Sequence, residues 1–406
     1  MMAQRNYPVV TITAKAERSI LSGHPWIYDT EITEAPEVTP GALVDVRAPK
    51  GAYLGTGFFS PASKIRVRLL SRNANDRFDE AFFRRRIRYA WEYRKTVMRG
   101  DTDACRVIFG EADSLPGLTV DRYGDILVTQ TLSVGIEKLK DVLFPLLSEV
   151  LEADGAHIAG IYERNDVAIR KLEGLSEGKG WYPLAGKPFP ASPVTEISEN
   201  GIKYMVDVEN GQKTGFFLDQ KYNRTAVARI ARGKRVLDCF THTGTFALNA
   251  ALGGAEKVTA VDISEEAVGL ARENARRNGV TMDVLCENVF DLLPRLVREG
   301  KQPYDLIILD PPAFTKSRRT ADDAERGYRE INYRAMKLLP RGGYLATCSC
   351  SHFMEKERFE RVIAAAALDA EVSLKLIEAR GASPDHPVLV GVPETEYLKF
   401  NLYQVV

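Results

Sequence analysis

The chain has 406 residues, with 55 Lys and Arg balanced by 55 Asp and Glu. This length predicts two or three domains, because a single hydrophobic core usually stops growing near about 250–300 residues. The zero net charge excludes attraction to nucleic acid through an overall positive field, so any such binding would need a local basic cluster.

The cysteines and the apolar segments indicate a reducing compartment. Five cysteines, at positions 105, 239, 286, 348 and 350, form no C-x-x-C pair and no zinc-like set. We therefore predict neither a disulfide framework nor a metal site. Residues 1–13 lack the apolar core of a signal peptide, and no run of about 18 apolar residues occurs. We expect a cytoplasmic protein that does not span a membrane.

The first half of the chain reads as a β segment followed by a mixed segment. Short alternating apolar runs, for example at residues 43–46 and 65–70, predict a small β domain over residues 1–75. Helical patterns near 78–97 and 135–151, with strand-like runs near 106–109, 126–130 and 158–162, predict a central α+β domain over residues 76–190. Gly and Pro residues predict a loop or linker at 177–192.

From residue 235 onward, strand-like runs alternate with helical patterns. The runs lie at residues 235–238, 258–261, 282–286, 306–309 and 344–348. Alternation at this spacing predicts an α/β, doubly wound, Rossmann-like sheet with helices on both faces. We assign this third domain to residues 191–406.

A turn with a single glycine follows the first of these strands. Asp238 belongs to the strand end, and Phe240, Thr243 and Gly244 belong to the turn. A dinucleotide site would need G-x-G-x-x-G to approach a pyrophosphate, so NAD is a poor fit. The turn still brings backbone amides and a helix N-terminus to the carboxyl edge of the sheet, where a polar or anionic group can bind.

Two later strand ends fit a nucleoside without phosphates. Asp262, followed by Ile263, lies 24 positions after Asp238, near the offset of about 20 at which a carboxylate receives ribose hydroxyls. Asn288, followed by Val289, ends the third strand, where its amide could pair with an adenine edge. Helix capping and an ordinary turn are the alternatives for the two aspartates, but their shared spacing favours a cofactor.

These residues together resemble the S-adenosylmethionine site of class I methyltransferases. The resemblance implies that Asp238 and Gly244 hold the methionine end, that Asp262 holds the ribose and that Asn288 holds the adenine. Relatives often carry Asp where this chain has Asn288; an Asn side-chain oxygen can still accept from the adenine amino group.

Asp310 opens an Asp-Pro-Pro-Ala-Phe loop after the fourth strand. Two prolines stiffen the loop, so we expect Asp310 to be preorganised beside the methyl donor. Enzymes that methylate exocyclic amines usually place the aromatic residue directly after the prolines, and the intervening Ala313 disfavours that chemistry. Asp310 could bind the amino and ring-nitrogen edge of a cytosine, and its role in removing the carbon-5 proton stays open.

Two thiols, Cys348 and Cys350, lie at the end of the fifth strand. Methylation of pyrimidine carbon 5 needs a thiolate that adds to carbon 6. Both side chains would share one face if the strand continued. In cytosine-5 RNA methyltransferases the nucleophile follows Gly-Gly by seven positions and precedes an acidic residue by five, as Cys350 does relative to Gly343 and Glu355. Cys348 matches neither spacing. Burial as small hydrophobes is the alternative for both thiols.

Ionisation of the Cys350 thiol needs a nearby base, cation or helix terminus, because a thiol of pKa about 8.5 is mostly protonated at neutral pH. His352 is one candidate, although a lone histidine is more often structural.

Four segments extend the resemblance over nearly the whole chain. They are GHPWIY at residues 23–28, DSLPGL at 113–118, ERNDVAIR at 163–170 and QKTGFFLD at 212–219. With the motifs above, they resemble the RlmI-type family of 23S ribosomal RNA cytosine-5 methyltransferases. This implies an N-terminal PUA domain that docks RNA, a small β-barrel, then a central α+β domain, and a C-terminal methyltransferase whose last strand, near 397–404, runs antiparallel.

The resemblance also implies that Gln212, Thr214 and Asp219 border S-adenosylmethionine. A β-hairpin and loop is the alternative for this segment, because Asn210-Gly211 alone is a strong turn signal. Related enzymes that methylate guanine usually lack a cysteine equivalent to Cys350, so its presence favours cytosine. Methylation of a guanine or an exocyclic amine, and a non-catalytic role in ribosome assembly, are the alternatives. A homodimer also stays open.

RNA contacts are predicted in two basic segments. Residues 64–99 hold 12 Lys and Arg against 4 Asp and Glu, with six aromatic residues interleaved. Packing of a helix on the core is at least as good an explanation for those aromatic residues. Lys316, Arg318 and Arg319 follow the Pro-Pro loop and are better placed for phosphates.

Overall fold

The computed structural model describes residues 6–300, 303–315 and 321–406. The chain divides into two compact units. The first holds the described residues of Met1–Ile197, with Val206–Leu218 and Pro384–Thr395; the second holds those of Ser198–Met205, Asp219–Ser383 and Glu396–Val406. Among the described residues, no helix combines the length and apolar character that a bilayer span requires.

Six strands form the first sheet of the first unit. They are β1 Val9–Ile12, β2 Trp26–Tyr28, β3 Ile32–Glu34, β4 Leu43–Arg47, β5 Tyr53–Phe59 and β6 Ile65–Ser71. Their order is β2-β6-β5-β4-β1-β3, and only β1 and β4 run parallel. Helix α1, Ala14–Leu21, begins at Thr13, whose hydroxyl accepts the Ala16 N–H. Strand residues such as Val10 and Val44 are buried, and the predicted β structure of this segment is confirmed.

A five-stranded sheet and two long helices follow in the same unit. The helices are α2 Glu80–Val97 and α3 Val134–Glu152, and the strands are β7 Ala104–Phe109, β8 Leu118–Tyr123, β9 Ile126–Thr131, β10 Gly160–Arg164 and β11 Lys179–Tyr182. The strand order is β11-β10-β9-β8-β7. Both predicted helices and the predicted α+β character are confirmed.

The prediction of a loop over residues 177–192 is wrong for β11, which pairs antiparallel with β10. Gly178 and Gly180 conceal the strand in the sequence, because glycine has low strand propensity. The neighbouring aromatic residues stabilise it: the Trp181 ring contacts Tyr162, and the Tyr182 ring contacts Phe144.

A hairpin precedes the last domain. Its strands, β12 Val194–Glu199 and β13 Ile202–Asp207, form a two-stranded sheet. Asn200 and Gly201 form the turn with φ angles of 54° and 77°. Positive φ at both central residues is typical of a two-residue hairpin turn.

The second unit is built on a seven-stranded sheet. Its strands are β14 Arg235–Cys239, β15 Lys257–Asp262, β16 Asp283–Cys286, β17 Leu306–Leu309, β18 Tyr344–Ser349, β19 Leu374–Arg380 and β20 Lys399–Val405, in the order β16-β15-β14-β17-β18-β20-β19. Strands β14 to β18 are parallel, and β20 and β19 add antiparallel pairings. The predicted antiparallel last strand is confirmed.

Helices cover both faces of this sheet. They are α4 Lys221–Ile230, α5 Thr245–Leu252, α6 Glu265–Arg277, α7 Val289–Arg298, α8 Ala321–Leu338 and α9 Lys356–Asp369. Alternate strand residues enter opposite clusters: Leu237 and Ile307 pack with residues of α7, α8 and α9, whereas Val236 and Ile308 pack with residues of α4 and α5. The predicted doubly wound arrangement is therefore confirmed.

Candidate active site

The carboxyl ends of the five parallel strands carry the predicted site residues of the second unit. Asp238 lies on β14, Asp262 ends β15, Asn288 follows β16, Asp310 follows β17 and Cys350 follows β18. Because these strands are parallel, their carboxyl ends lie at one edge of the sheet, which is where ligands bind in doubly wound folds.

Asp238 is a fully buried carboxylate. Its Oδ2 accepts hydrogen bonds from the Thr241 hydroxyl at 2.5 Å and the Ala247 N–H at 2.9 Å. Burial raises the pKa of Asp238 to about 7 against the lowering effect of these two bonds, and the charges of Asp310 and Asp262 add to the rise. Within the described residues, Asp238 Oδ1 has no hydrogen-bond partner. A donor or a cation supplied from outside the chain would satisfy this atom.

The turn after β14 has an unusual backbone. Phe240, His242 and Gly244 have φ angles of 64°, 52° and 81°. Left-handed conformations are strained for residues with a side chain, and such strain clusters at functional sites. The His242 N–H donates to Asp262 Oδ2 at 2.8 Å, which ties the turn to the end of β15. At Gly244 a Cβ would lie 3.1 Å from the Ala271 Cβ, so this position requires glycine on both grounds.

Asp262 is half-buried and accepts backbone hydrogen bonds on both oxygens. Its Oδ1 accepts the Ser264 N–H at 3.0 Å. Carboxylate oxygens have further lone pairs, so these bonds orient Asp262 without exhausting it as an acceptor. Ile263, which follows it, is 70% exposed. An exposed apolar side chain beside a fixed carboxylate is suited to the flat face and the hydroxyls of a nucleoside.

Asn288 caps helix α7. Its Oδ1 accepts the Phe290 N–H at 3.0 Å, so its amide nitrogen is directed away from the cap. The Val289 side chain is buried in the apolar core, and only its backbone could contact a ligand. Phe290 is 42% exposed, and its ring lies against Phe240 and Phe314. Phe290 was not predicted; an aromatic residue two positions after a strand-end cap is the signal that could have identified it.

Asp310 is oriented by a pair of buried amides. The Gln220 amide nitrogen donates to Asp310 Oδ1 at 3.0 Å, and the Asn223 amide nitrogen donates to Gln220 Oε1 at 2.7 Å. Both amides lie at the start of α4 and are buried. Neither was predicted, because nothing in the sequence near residue 220 indicates that it contacts residue 310.

The two thiols differ in environment. Cys348 is fully buried: it packs in an apolar cluster and its thiol also interacts with the side chains of Gln220 and Asp310. Burial, with the charge of Asp310, raises the pKa of this thiol well above the usual range. Cys350 is half-buried and lies beyond Ser349, where β18 ends. The expected common face therefore does not apply, since the strand does not continue to Cys350. His352 is exposed, and its ring contacts Phe353.

A buried lysine lies beside Cys350. Lys399, at the start of β20, donates to the Ser351 carbonyl at 2.7 Å and the Tyr397 carbonyl at 2.8 Å. Burial lowers the pKa of Lys399 to about 8, while the charges of Cys350 and Glu396 raise it. Lys399 was not predicted; a lysine at the start of a largely apolar strand is the available signal.

Gln212 and Thr214 belong to the first unit. Gln212 is exposed, and its carbonyl accepts the Gly215 N–H. Thr214 is fully buried; its hydroxyl donates to Asp121 Oδ2 at 2.6 Å and lies 2.8 Å from the Tyr123 hydroxyl. These contacts anchor Thr214 inside its own unit.

Asp219 belongs to the second unit and is buried. Its Oδ2 accepts a hydrogen bond from the Tyr397 hydroxyl at 2.6 Å, and its carbonyl accepts the Ser383 N–H at 2.7 Å. Asp219 is thereby hydrogen-bonded to Tyr397, two residues before Lys399. The predicted phosphate contacts Lys316, Arg318 and Arg319 lie outside the described residues.

The basic segment at residues 64–99 combines buried side chains with exposed basic ones. Phe82, Phe83 and Trp91 are buried on the core side of α2, as the packing alternative predicts. Arg94 is buried and paired with Asp113. The exposed basic side chains of this segment that have no ion pair within the described residues are those of Lys64, Arg72, Arg77, Arg88 and Arg99.

Comparison with known proteins identifies the family. The family of S-adenosylmethionine-dependent methyltransferases matches residues 179–397, and the PUA-like domain family matches residues 10–72. The ribosomal RNA large subunit methyltransferase I of Salmonella arizonae is 39% identical over 399 residues, covering 97% of this chain and 96% of that protein. The protein of the same name from Klebsiella pneumoniae strain 342 is 38% identical over 403 residues and 98% of both chains. The chain belongs to the ribosomal RNA large subunit methyltransferase I family. It is an S-adenosylmethionine-dependent methyltransferase with an N-terminal PUA-like domain.

Solved structures agree on the fold of this family member. A SAM-dependent methyltransferase from Streptococcus mutans has a TM-score of 0.80 at 23% identity, covering 98% of this chain and all of that one. A methyltransferase solved in complex with SAH has a TM-score of 0.82 at the same 23% identity and the same coverage. At this identity the likeness establishes the fold alone.

Proposed function

We propose that this protein methylates carbon 5 of a cytosine in 23S ribosomal RNA, with Cys350 as the nucleophile. The observation that carries the proposal is the half-buried Cys350 at the sheet edge that also holds Asp238 and Asp310. Membership in a family whose members are named for large-subunit ribosomal RNA supports the substrate. The fully buried Cys348, with its raised pKa, is a poor nucleophile.

Residues of the sheet edge fit S-adenosylmethionine. Its methionine end carries an ammonium and its sulfur is a sulfonium, so it suits a site where three carboxylates, Asp238, Asp262 and Asp310, interact. Asp238 Oδ1 would accept from the ammonium. Thr243 Oγ1, also buried and without a hydrogen-bond partner in the described residues, offers a second polar contact. When bound, the cofactor supplies an electrophilic methyl group.

The nucleoside part of the cofactor would lie at the ends of β15 and β16. Asp262 would bind the ribose hydroxyls, and Asn288 with the backbone of Val289 would bind the adenine edge. The exposed side chains of Ile263 and Phe290 would cover its faces. Phe240 and Gly244 shape the turn that approaches the methionine end. That Gln212, Thr214 and Asp219 border the cofactor stays a prediction from the family resemblance.

The chain's own residues then account for the chemistry at the base. The Cys350 thiolate adds to carbon 6, which makes carbon 5 nucleophilic enough to take the methyl group. Asp310, held by Gln220, would bind the amino edge of the cytosine. Loss of the carbon-5 proton to a base then expels the Cys350 sulfur and restores the ring. The target cytosine must unstack from the RNA to reach the carboxyl edge of the sheet, at a cost of a few kcal/mol.

The decisive experiment compares Cys350→Ala with Cys348→Ala as a matched control. Ribosomal RNA and large subunits from cells lacking the gene are incubated with each variant and S-adenosylmethionine, and 5-methylcytosine is mapped by bisulfite sequencing. We expect Cys350→Ala to abolish the modification and Cys348→Ala to retain it. RNA that contains 5-fluorocytidine should trap a covalent complex with the unmodified protein and with Cys348→Ala only.

Two results would favour the other functions. Methylation by Cys350→Ala would indicate a guanine or an exocyclic amine as the target. RNA binding without turnover on any RNA would indicate an assembly factor.

We also propose the three-domain organisation predicted above, at residues 1–75, 76–190 and 191–406, with the PUA-like domain docking the RNA. Matches of the PUA-like family at residues 10–72 and of the methyltransferase family at 179–397 support this order. A homodimer and a cytoplasmic location stay predictions.

A further inference from the structure

Lys399 contacts both neighbours of Cys350 in the sequence, Ser349 and Ser351. In the antiparallel pairing of β18 with β20, Lys399 stands opposite Ser349, the residue before Cys350. Its ammonium donates at 2.7 Å to the carbonyl of Ser351, the residue after Cys350. Lys399 is buried, with a relative exposure of 7%. A buried charge is thus held against the backbone directly after the thiol.

This ammonium lacks an anionic partner in the described part of the chain. Its hydrogen-bond acceptors there are the carbonyls of Ser351 and Tyr397, and no carboxylate lies within ion-pairing distance. A buried charge that is not paired is costly. An anion at Cys350 would reduce this cost, because opposite charges at short range in a buried site attract strongly.

The described groups whose charges interact with Cys350 include Cys348 on β18, Tyr328 on α8 and Lys399 on β20. Asp310 acts on Cys348 and Tyr328, and Glu396 acts on Lys399. Every member of this set except Lys399 is neutral or negative. Lys399 is therefore the member of the set that can stabilise a thiolate.

We propose that Lys399 is a positioning residue for Cys350: its ammonium stabilises the Cys350 thiolate, and its hydrogen bond to the Ser351 carbonyl holds the adjacent backbone. On ionisation the S–H bond breaks, the proton passes to water, and the negative charge on Sγ faces the ammonium. The proposed ion pair follows from the position of Lys399 beside Cys350 and does not depend on the proposed function. Its use in catalysis rests on the proposed function.

The titration ranges of the two groups are compatible with this pairing. Burial lowers the pKa of Lys399 to about 8, close to the value of about 8.5 for an ordinary thiol. A thiolate raises the pKa of the neighbouring ammonium, and the ammonium lowers the pKa of the thiol. Each group therefore favours the charged form of the other near neutral pH.

The test measures the ionisation of Cys350 without RNA or cofactor. The full chain, with the exposed Cys286 changed to Ala, is alkylated with iodoacetamide between pH 5.5 and 10, and modification of Cys350 is quantified by peptide mass spectrometry. Lys399→Met removes the charge, Lys399→Gln removes the charge but keeps N–H donors, and Lys399→Arg keeps the charge. Thermal unfolding verifies that each variant is folded.

We expect the alkylation midpoint of Lys399→Met and Lys399→Gln to rise by about one pH unit or more, the usual effect of losing an opposite charge. Lys399→Arg should stay near the parent protein. Equal midpoints for the parent and Lys399→Gln would overturn the proposal and leave Lys399 a structural residue. If Lys399→Met does not fold, Lys399→Gln against Lys399→Arg decides.

This result is independent of the methylation assay. A shifted midpoint together with active Cys350→Ala would keep the ion pair and reject the proposed chemistry. An unchanged midpoint together with inactive Cys350→Ala would reject the ion pair and keep the proposed chemistry. If both hold, the methylation deficit of Lys399→Gln should shrink as the pH rises, because a larger fraction of its thiol then ionises.

Discussion

The Gln220 side chain donates a 3.0 Å hydrogen bond to Asp310 Oδ1, across 90 positions of sequence. Asn223 holds Gln220 from the other side at 2.7 Å, and Arg380 Nε donates to Asn223 Oδ1 at 3.2 Å. The carboxylate proposed to bind the target base is thus aimed by a row of side chains rather than by its loop alone. Two prolines limit the backbone after Asp310, and the amides limit its side chain.

Replacing Gln220 with Leu should impair methylation more than cofactor binding. The variant removes the donor that orients Asp310 and leaves the turn after β14 intact, so kcat should fall by about 10- to 100-fold, as for a misplaced catalytic group. The Kd for S-adenosylmethionine, measured by calorimetry, should change by less than about threefold. The matched control is Gln404→Leu, since the Gln404 amide nitrogen makes long, 3.4 Å contacts with the Gly342 carbonyl and the Tyr344 hydroxyl. Equal losses of kcat in Gln220→Leu and Gln404→Leu would contradict an orienting role for Gln220.

The alternation of strands and helices was predictable because buried parallel strands read as short apolar runs between helical patterns. The carboxyl-edge location of Asp238, Asp262 and Asp310 follows from the same topology. Strand β19 was missed, because a bulge between Leu376 and Glu378 breaks its period of two.

The residues that orient the proposed catalytic groups were not predictable. Gln220 and Lys399 come from α4 and β20, and only the folded packing brings them to Asp310 and to the backbone beside Cys350. Local sequence carries periodicity and turn chemistry. It does not carry the pairing of a helix start with a loop or of a last strand with a thiol.

Cofactor binding should strengthen as the pH rises to about 7. Burial raises the pKa of Asp238 to about 7, so the carboxyl is protonated below that pH and cannot pair with the ammonium of S-adenosylmethionine. The Kd should fall by up to about tenfold per pH unit between pH 5.5 and 7 and then level off. Calorimetry in buffers of different ionisation enthalpy should detect proton release on binding at pH 6.5.

The same carboxylate should destabilise the protein without cofactor at neutral pH. The folded protein holds the Asp238 proton more tightly than the unfolded chain, so the free energy of unfolding falls as pH rises from about 4 to 7, by up to about 1.4 kcal/mol per unit. Asp238→Asn should bind the cofactor weakly and independently of pH, and should raise the unfolding midpoint more at pH 8 than at pH 5. A variant whose stability gain is the same at both pH values would contradict this origin.

The buried ion pair of Arg224 with Glu199 should dominate single-substitution effects at the start of α4. Their atoms Nη1 and Oε1 are 2.5 Å apart, and both side chains are almost wholly buried. Removing one charge leaves the other buried and unpaired, so Arg224→Met or Glu199→Leu should each lower the free energy of unfolding by about 3–5 kcal/mol. The double variant should recover most of the loss in urea denaturation. Additive losses would show that the two side chains do not act as a pair.

RNA affinity should depend on the exposed arginines of the first unit rather than on its ion-paired ones. Arg72→Gln, Arg77→Gln and Arg88→Gln each remove a charge that has no ion pair within the described residues. If these side chains contact phosphates, each change should reduce the slope of log K against log salt by about 0.7–0.9. Arg84→Gln is the matched control on the same helix as Arg88, because Arg84 already pairs with Glu80 and Glu149 at 2.8 Å. Filter binding to ribosomal RNA fragments at roughly 50 to 300 mM KCl gives the slopes. A slope change in Arg84→Gln equal to that in Arg88→Gln would reject this surface as the phosphate contact.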